Sequence, residues 1–113
     1  HTTDLLQPHH VWTTSALNHS GWESWVADYY DSESLNDTAL VDQALQNFTP
    51  LSPTGTDIRP LLTEGGTLAY GNGGIVLSST DHSDRVQVGQ TVIPNAIAMV
   101  VHLLNHAAHQ VNP

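Results

Sequence analysis

The sequence has no cysteine and no lysine, and Arg59 and Arg85 are the only permanently cationic side chains among its 113 residues. Without cysteine, neither a disulfide framework nor a thiolate metal site can form. Without a cluster of lysine and arginine, no surface can release counterions from a phosphate backbone, so DNA and RNA are excluded as partners. The length favours one domain with a modest hydrophobic core.

Carboxylates and histidines are what the chain has in excess. Eleven aspartates and glutamates give a net charge of −9 with neutral imidazoles, and protonation of all eight histidines would leave −1. Histidine is the side chain that ordinarily changes its charge near physiological pH. Mild acid would therefore remove most of the repulsion between copies of this chain, because a low net charge favours association.

Two helices are predicted in 20–49, after an irregular arm at 1–19. The first covers 21–31, where aromatic and apolar residues recur at helical spacing behind a capping box. The second follows a capping sequence and ends near Phe48, because Pro50 disfavours helical backbone at the residue before it. The N-terminal half is therefore predicted to be a helical pair.

The pattern in the second half changes period and predicts a small antiparallel sheet. Prolines and glycines make 50–66 an extended loop. In 67–93, short runs rich in β-branched residues and separated by turn sequences have the composition of three or four strands. The predicted fold class is thus α+β, in a single domain whose C-terminal amphipathic helix at 94–110 packs on the sheet.

The C-terminal helix carries the most informative pattern. After Arg85, the only ionisable side chains in 28 residues are His102, His106 and His109, which share one face of a helix. We expect the opposite, apolar face to pack on the sheet, which would expose the three imidazoles to water or to a partner. The predicted packing face comprises Ile97, Val100, Val101, Leu104, Ala108 and Val111.

The same three histidines are candidate metal ligands. His102 and His106 are four residues apart, a spacing that suits two imidazole ligands to zinc or copper. His102 and His109 would be about 10 Å apart along a helix axis, so one ion cannot use all three. A metal site would therefore need further ligands from elsewhere in the chain.

No catalytic constellation is predicted. Asp81-His82-Ser83-Asp84 contains the residue types of a hydrolase triad, but adjacent residues cannot place a base against a nucleophile and an acid behind the base. Side chains that cap the amides of a turn explain this sequence better. We therefore expect no enzymatic activity.

The aromatic residues Trp22, Trp25 and Tyr29 are a second candidate binding site. If they are exposed, they would suit stacking on carbohydrate or a protein interface. An aromatic stripe at helical spacing is also what the packed side of an amphipathic helix requires. Solvent exposure of these rings distinguishes the two interpretations.

Several features predict secretion. The triplets at Asn18, Asn36 and Asn47 are acceptor sequences for N-glycosylation. The chain begins with His1 rather than methionine, as expected of a product from which a leader has been removed. The most apolar stretch, 92–104, is too short for a transmembrane span. We therefore expect an extracellular protein.

Together these features predict a secreted, pH-responsive interaction module, such as a toxin or effector or a subunit of a surface assembly. Its expected partner is another protein or a second copy of the chain. At acid pH a membrane surface is also expected, because helices with a cationic face bind anionic lipids. The alternative is a zinc- or copper-binding protein that uses His102, His106 and His109.

Overall fold

The computed structural model of the chain describes residues 19–52, 55–72 and 79–111. In these ranges the chain contains four helices and no strand: α1 at His19–Tyr29, α2 at Thr38–Leu45, α3 at Arg59–Tyr70 and α4 at His82–Val111. Both α2 and α3 pack against α4, a helix of 30 residues that forms the centre of the fold.

The predicted α+β class with its antiparallel sheet is wrong for the described residues. Positions 67–70 form the last turn of α3, and 86–93 belong to α4. A further predicted strand, at 75–78, lies outside the described residues. The β-branched residues favoured strands, but helical packing overrides propensity: Val88 is fully buried as part of α4.

The C-terminal helix is present but begins twelve residues before its predicted start. Asp81 accepts hydrogen bonds from the backbone N–H and the hydroxyl of Ser83, which caps the new N-terminus. Pro94 lies inside the helix, where the missing N–H leaves the carbonyl of Gln90 without its usual helical donor. The proline ring is fully buried, and its packing offsets that loss.

The loop predicted at 50–66 ends at the start of α3. Pro60 occupies the first turn of α3, where its missing N–H costs nothing. Gly65 lies in the middle of α3, and a Cβ at this position would be 2.6 Å from Sδ of Met99. This glycine therefore allows α3 to approach α4 closely, at some cost in helix propensity.

Both predicted N-terminal helices are present with shifted ends. Because α1 begins at His19, Ser20 lies in its first turn rather than at the cap. Asp37 caps α2, and its carboxylate accepts a hydrogen bond from the N–H of Ala39 over 2.8 Å. α2 ends at Leu45, before the predicted end.

The link between α1 and α2 contains a Schellman motif. The N–H of Leu35 donates to the carbonyl of Tyr30, and the N–H of Ser34 donates to the carbonyl of Asp31. Ser34 has φ +53°, the left-handed conformation that this motif requires. The motif directs Leu35 into the interior, where its side chain is fully buried beside Gly89 of α4.

The hydrophobic core joins α2, α3 and α4. Small side chains meet where α2 crosses α4, because Ala44 and Ala98 are both buried there. Close approach of the two backbones is the consequence. The buried members of this cluster are Ala44, Phe48, Leu61 and Ala98.

Candidate functional site

α4 has an inward side that faces the other helices and an outward side that faces solvent. Val100, Leu104 and Val111 belonged to the predicted packing face, yet they are 48%, 63% and 77% exposed. The predicted orientation of the helix is therefore wrong, because small and polar residues fit the close contacts with α2 and α3 better than large apolar ones. The buried residues of α4 are Val88, Gly89, Pro94, Asn95, Ala98 and His106.

His102 lies on the inward side of α4, at the end of α2. Its Nε2 is 3.0 Å from the carbonyl oxygen of Leu45, the last residue of α2. A carbonyl oxygen only accepts hydrogen bonds, so Nε2 carries the hydrogen in this contact. The ring also packs against Phe48, with the centroids 5.8 Å apart. His102 therefore connects two helices and is half-buried.

His106 is 8% exposed, which makes it the most buried of the three histidines. His109, one turn further along α4, is exposed. The expectation that all three imidazoles face solvent therefore holds for His109 alone. The three side chains do line one cavity of about 270 Å³, whose wall consists of Pro50, Leu51, His102, Asn105, His106 and His109.

The three histidines do not form a metal site of three or more ligands within the described residues. Within 19–52, 55–72 and 79–111, no group of three or more histidine, cysteine, aspartate or glutamate side chains could hold a metal ion. His102 already uses Nε2 for the Leu45 carbonyl. The candidate ligands therefore line one cavity without forming a shared coordination sphere.

The aromatic candidates fasten α1 to the first turn of α4. Trp22 and Trp25 stack with centroids 5.1 Å apart, and Tyr29 lies 5.0 Å from Trp25. The ring of His82 packs 4.7 Å from Tyr29, and its Nε2 is 3.2 Å from a carboxylate oxygen of Glu33. Trp25 is buried, whereas Trp22 and Tyr29 are half-buried. Packing is thus the main role of Trp25.

Trp22 also borders an apolar groove of about 310 Å³ between α3 and α4. Leu62 of α3 is exposed beside this groove, and Ile93 and Met99 of α4 contribute to its wall. The groove runs into the outward side of α4, where exposed apolar residues fall within about 80° of one another around the helix axis. We call these residues the outer stripe: Ala96, Val100, Leu104, Ala107 and Val111.

Sequence reasoning found the periodicity of the outer stripe but assigned part of it to the interior. The signal that distinguishes the two sides is residue size and polarity, since Asn95 and Ala98 lie on the side that α2 and α3 approach. α4 is also the helix in the described part of the chain that is long and apolar enough, by length and composition, to cross a membrane.

Fixed charges are absent from the C-terminal part of α4. From position 86 to 111 the sequence has no aspartate, glutamate, lysine or arginine. Nε of Arg85 is buried without a hydrogen-bond partner among the described residues. The other arginine, Arg59, pairs with Asp57 over 2.9 Å at the start of α3. Only histidines can therefore change the charge of this part of α4.

Two of the predicted glycosylation sites lie in the described residues. Asn36 is exposed in the link before α2. Asn47 is exposed after α2, and its Nδ2 donates to Oδ1 of buried Asn95 over 2.9 Å. Asn18 lies outside the described residues. The use of these sites stays a prediction.

No protein-family model, curated protein or solved structure matches the chain.

Proposed function

We propose that this chain is a secreted, pH-responsive interaction module in which α4 carries both the proton-sensing histidines and the contact surface. The observation that carries the proposal is the opposite placement of two sets of side chains. Val100 and Leu104 are exposed on the outward side of α4, whereas His102 and His106 lie against other parts of the fold. Contiguous exposed apolar surface of this kind marks interaction sites.

The outer stripe is the contact surface in this proposal, and the histidines regulate it from the inward side. This assignment differs from direct contact by the imidazoles that line the cavity, because His109 is exposed whereas His102 is half-buried and His106 is buried. The histidines act instead on the contacts that hold the end of α4 to its neighbours.

His106 is the buried histidine of this cavity. The cavity wall that other elements contribute consists of Pro50 and Leu51, so no carboxylate from those elements lines the cavity beside the imidazole. A positive charge that is buried without a partner is unfavourable. Protonation should therefore move His106 toward water and open the contact between α4 and the segment that follows α2.

His102 differs from His106, because its ring already has a hydrogen-bond partner. Protonation retains the N–H that donates to Leu45 and makes this hydrogen bond charge-assisted. A cation is also favourable at the C-terminal end of a helix such as α2. Acid should therefore loosen the contact at His106 while α2 stays attached at His102, which gives local opening rather than global unfolding.

The change in net charge supports association at acid pH. The chain carries −9 with neutral histidines and −1 when all eight are protonated. Loss of long-range repulsion lets the uncharged outer stripe meet another surface. A toxin, an effector or a subunit of a surface assembly would use such a response, and the proposal requires neither catalysis nor a bound metal.

Hydrogen exchange combined with sedimentation tests this proposal. At about pH 5, compared with about pH 7.5 and after correction for intrinsic rates, we expect faster exchange around Leu51 and in the last turns of α4, together with association. His106→Gln should abolish the faster exchange, whereas association, which follows the net charge, should be retained. His109→Gln is the matched control and should retain both changes, because this side chain is already exposed. Identical exchange and sedimentation of the unmodified chain at both pH values would rule out the proposal.

A further inference from the structure

The apolar outer stripe suits one class of partner, a lipid surface. This inference rests on the proposed function. We infer that at acid pH the outer stripe lies in the interfacial region of a lipid bilayer that contains anionic lipids. The helix lies along the membrane surface in this arrangement, because its inward side remains attached to α2 and α3.

The shape of the outer stripe fits a flat apolar surface. Its residues run from Ala96 to Val111, which is about 22 Å along the axis at 1.5 Å per residue. Exposed Leu62 on α3 and half-buried Trp22 on α1 border the groove at the other end and extend the apolar area sideways. Interfacial helices bury this kind of surface at the boundary between headgroups and acyl chains.

The charge distribution gives the C-terminal end of α4 its preference for anionic headgroups. When protonated, His102, His106 and His109 add positive charge to a segment without a carboxylate. On the neighbouring elements, Glu64 accepts a hydrogen bond from Thr49. Asp57 pairs with Arg59 and lies near Gly55, whose carbonyl accepts a hydrogen bond from Gln110 at the end of α4. Neither carboxylate lines the histidine cavity, so the new charge is left to an outside anion.

A second copy of the chain is a poorer occupant of the outer stripe. The middle of the stripe lies near Leu103, so an antiparallel pair centred there sets His102 of one copy opposite Asn105 of the other. In a parallel pair, each histidine of one copy lies at the same height along the axis as the same histidine of the other copy. Neither arrangement sets an acidic side chain of α4 beside those histidines, because 86–111 contains none. The acidic start of α4, at Asp84, is too far along the helix to reach those histidines in either pair.

Single-site labelling can test the bilayer inference, because the chain has no cysteine of its own. Ala96→Cys and Leu104→Cys place an environment-sensitive fluorophore on the outer stripe, and Ala39→Cys places it on an exposed position of α2. Vesicles of phosphatidylcholine with and without phosphatidylglycerol are the probe. At about pH 5 we expect a blue shift, and quenching by brominated lipid, for the two stripe labels with anionic vesicles only.

A second pair of variants measures how much the stripe contributes. Leu104→Ser should weaken binding to anionic vesicles roughly tenfold at about pH 5, since it removes one large side chain from the buried surface. Ala39→Ser introduces the same hydroxyl on an exposed position of α2 and should bind like the unmodified chain. Equal binding of Leu104→Ser and the unmodified chain would contradict the role given to the stripe.

The failure of this inference can be distinguished from failure of the proposed function. If acid still opens the His106 contact and causes association, while brominated lipid quenches neither stripe label, the bilayer inference is overturned and a second copy becomes the partner. If the stripe labels enter the vesicles equally at both pH values, the stripe binds lipid but its control by acid, and with it the pH-responsive function, is overturned.

Discussion

The imidazole of His102 takes the place of a backbone donor for the carbonyl of Leu45. In a continued helix, the N–H of Thr49 would bond to this carbonyl, but it donates instead to a carboxylate oxygen of Glu64 over 2.8 Å. Nε2 of His102 donates to the carbonyl oxygen over 3.0 Å. One side chain of α4 thus satisfies the end of α2 and joins the two helices.

Removal of this donor should destabilise the fold. His102→Ala leaves the Leu45 carbonyl without its partner in a part-buried place, and we expect a loss of about 1–3 kcal/mol in the free energy of unfolding. Urea denaturation at neutral pH measures it. His109→Ala removes an exposed histidine from the same helix and should cost less than about 0.5 kcal/mol. Equal losses for the two variants would show that the hydrogen bond adds nothing to stability.

A methyl group added at Gly89 should disturb the packing of Leu35 against α4. A Cβ on Gly89 would lie 2.9 Å from Cδ2 of Leu35, which is fully buried. Although alanine gains about 1 kcal/mol in helix propensity, overpacking costs about 1–3 kcal/mol, so Gly89→Ala should lower the stability or leave no gain. Thermal unfolding measures the balance.

Gly71→Ala is the matched control for Gly89→Ala. A Cβ on Gly71 would be no closer than 3.7 Å to its nearest neighbour, and the backbone there has φ −60°. This substitution should be neutral or slightly stabilising, because it reduces the freedom of the unfolded chain. A stability gain for Gly89→Ala equal to that for Gly71→Ala would contradict the close approach of Leu35.

Local signals in the sequence predicted the N-terminal helices but not the second half of the fold. The helical spacing around Trp25 and the cap before α2 depend on neighbouring residues, and such signals can be recognised locally. The β-branched run around Val88 is compatible with a strand or a buried helix, and packing on Leu35 and α2 decides between them. Tertiary contacts of this kind are not visible in periodicity alone.

In the candidate site too, local signals were predictable from the sequence and tertiary contacts were not. The pattern predicts that His102, His106 and His109 share a helix face, because residues three and four apart are neighbours on a helix. In the structure the three side chains line one cavity. Which side of α4 faces inward depends on small or polar residues such as Asn95 and Ala98, and on the carbonyl at the end of α2 that His102 satisfies. The prediction that the more apolar side of α4 packs inward therefore gave the wrong orientation of this helix.

The left-handed backbone of Ser34 offers a stabilising substitution. A non-glycine residue at φ +53° is strained, and glycine is the usual residue at this position of a Schellman motif. Ser34→Gly should raise the free energy of unfolding by about 0.5–1 kcal/mol, after the added freedom of the unfolded chain is subtracted. Ser32→Gly, at an exposed position in the preceding turn, is the control and should lower stability. The left-handed assignment would be contradicted if both variants were destabilised alike.

The pair formed by Asp57 and Arg59 should give the start of α3 a pH-dependent contribution to stability. Hydrogen bonds from the Arg59 side chain, and from its backbone N–H, lower the pKa of Asp57 below the ordinary value of an aspartate. A lowered pKa in the folded state means that the ionised carboxylate is the form that folding favours. The contribution is therefore complete above the ordinary pKa and is lost as the pH falls through the folded-state pKa.

Asp57→Asn removes this charge and keeps the side-chain shape. At neutral pH we expect a lower Tm than for the unmodified chain, and the two Tm values should converge as acid protonates Asp57. Because both side chains are exposed, high salt at neutral pH should also reduce the difference. Asp42→Asn, on the exposed surface of α2, is the matched control and should show a smaller change. A Tm difference between Asp57→Asn and the unmodified chain that stays constant in acid would mean that the carboxylate charge does not stabilise α3.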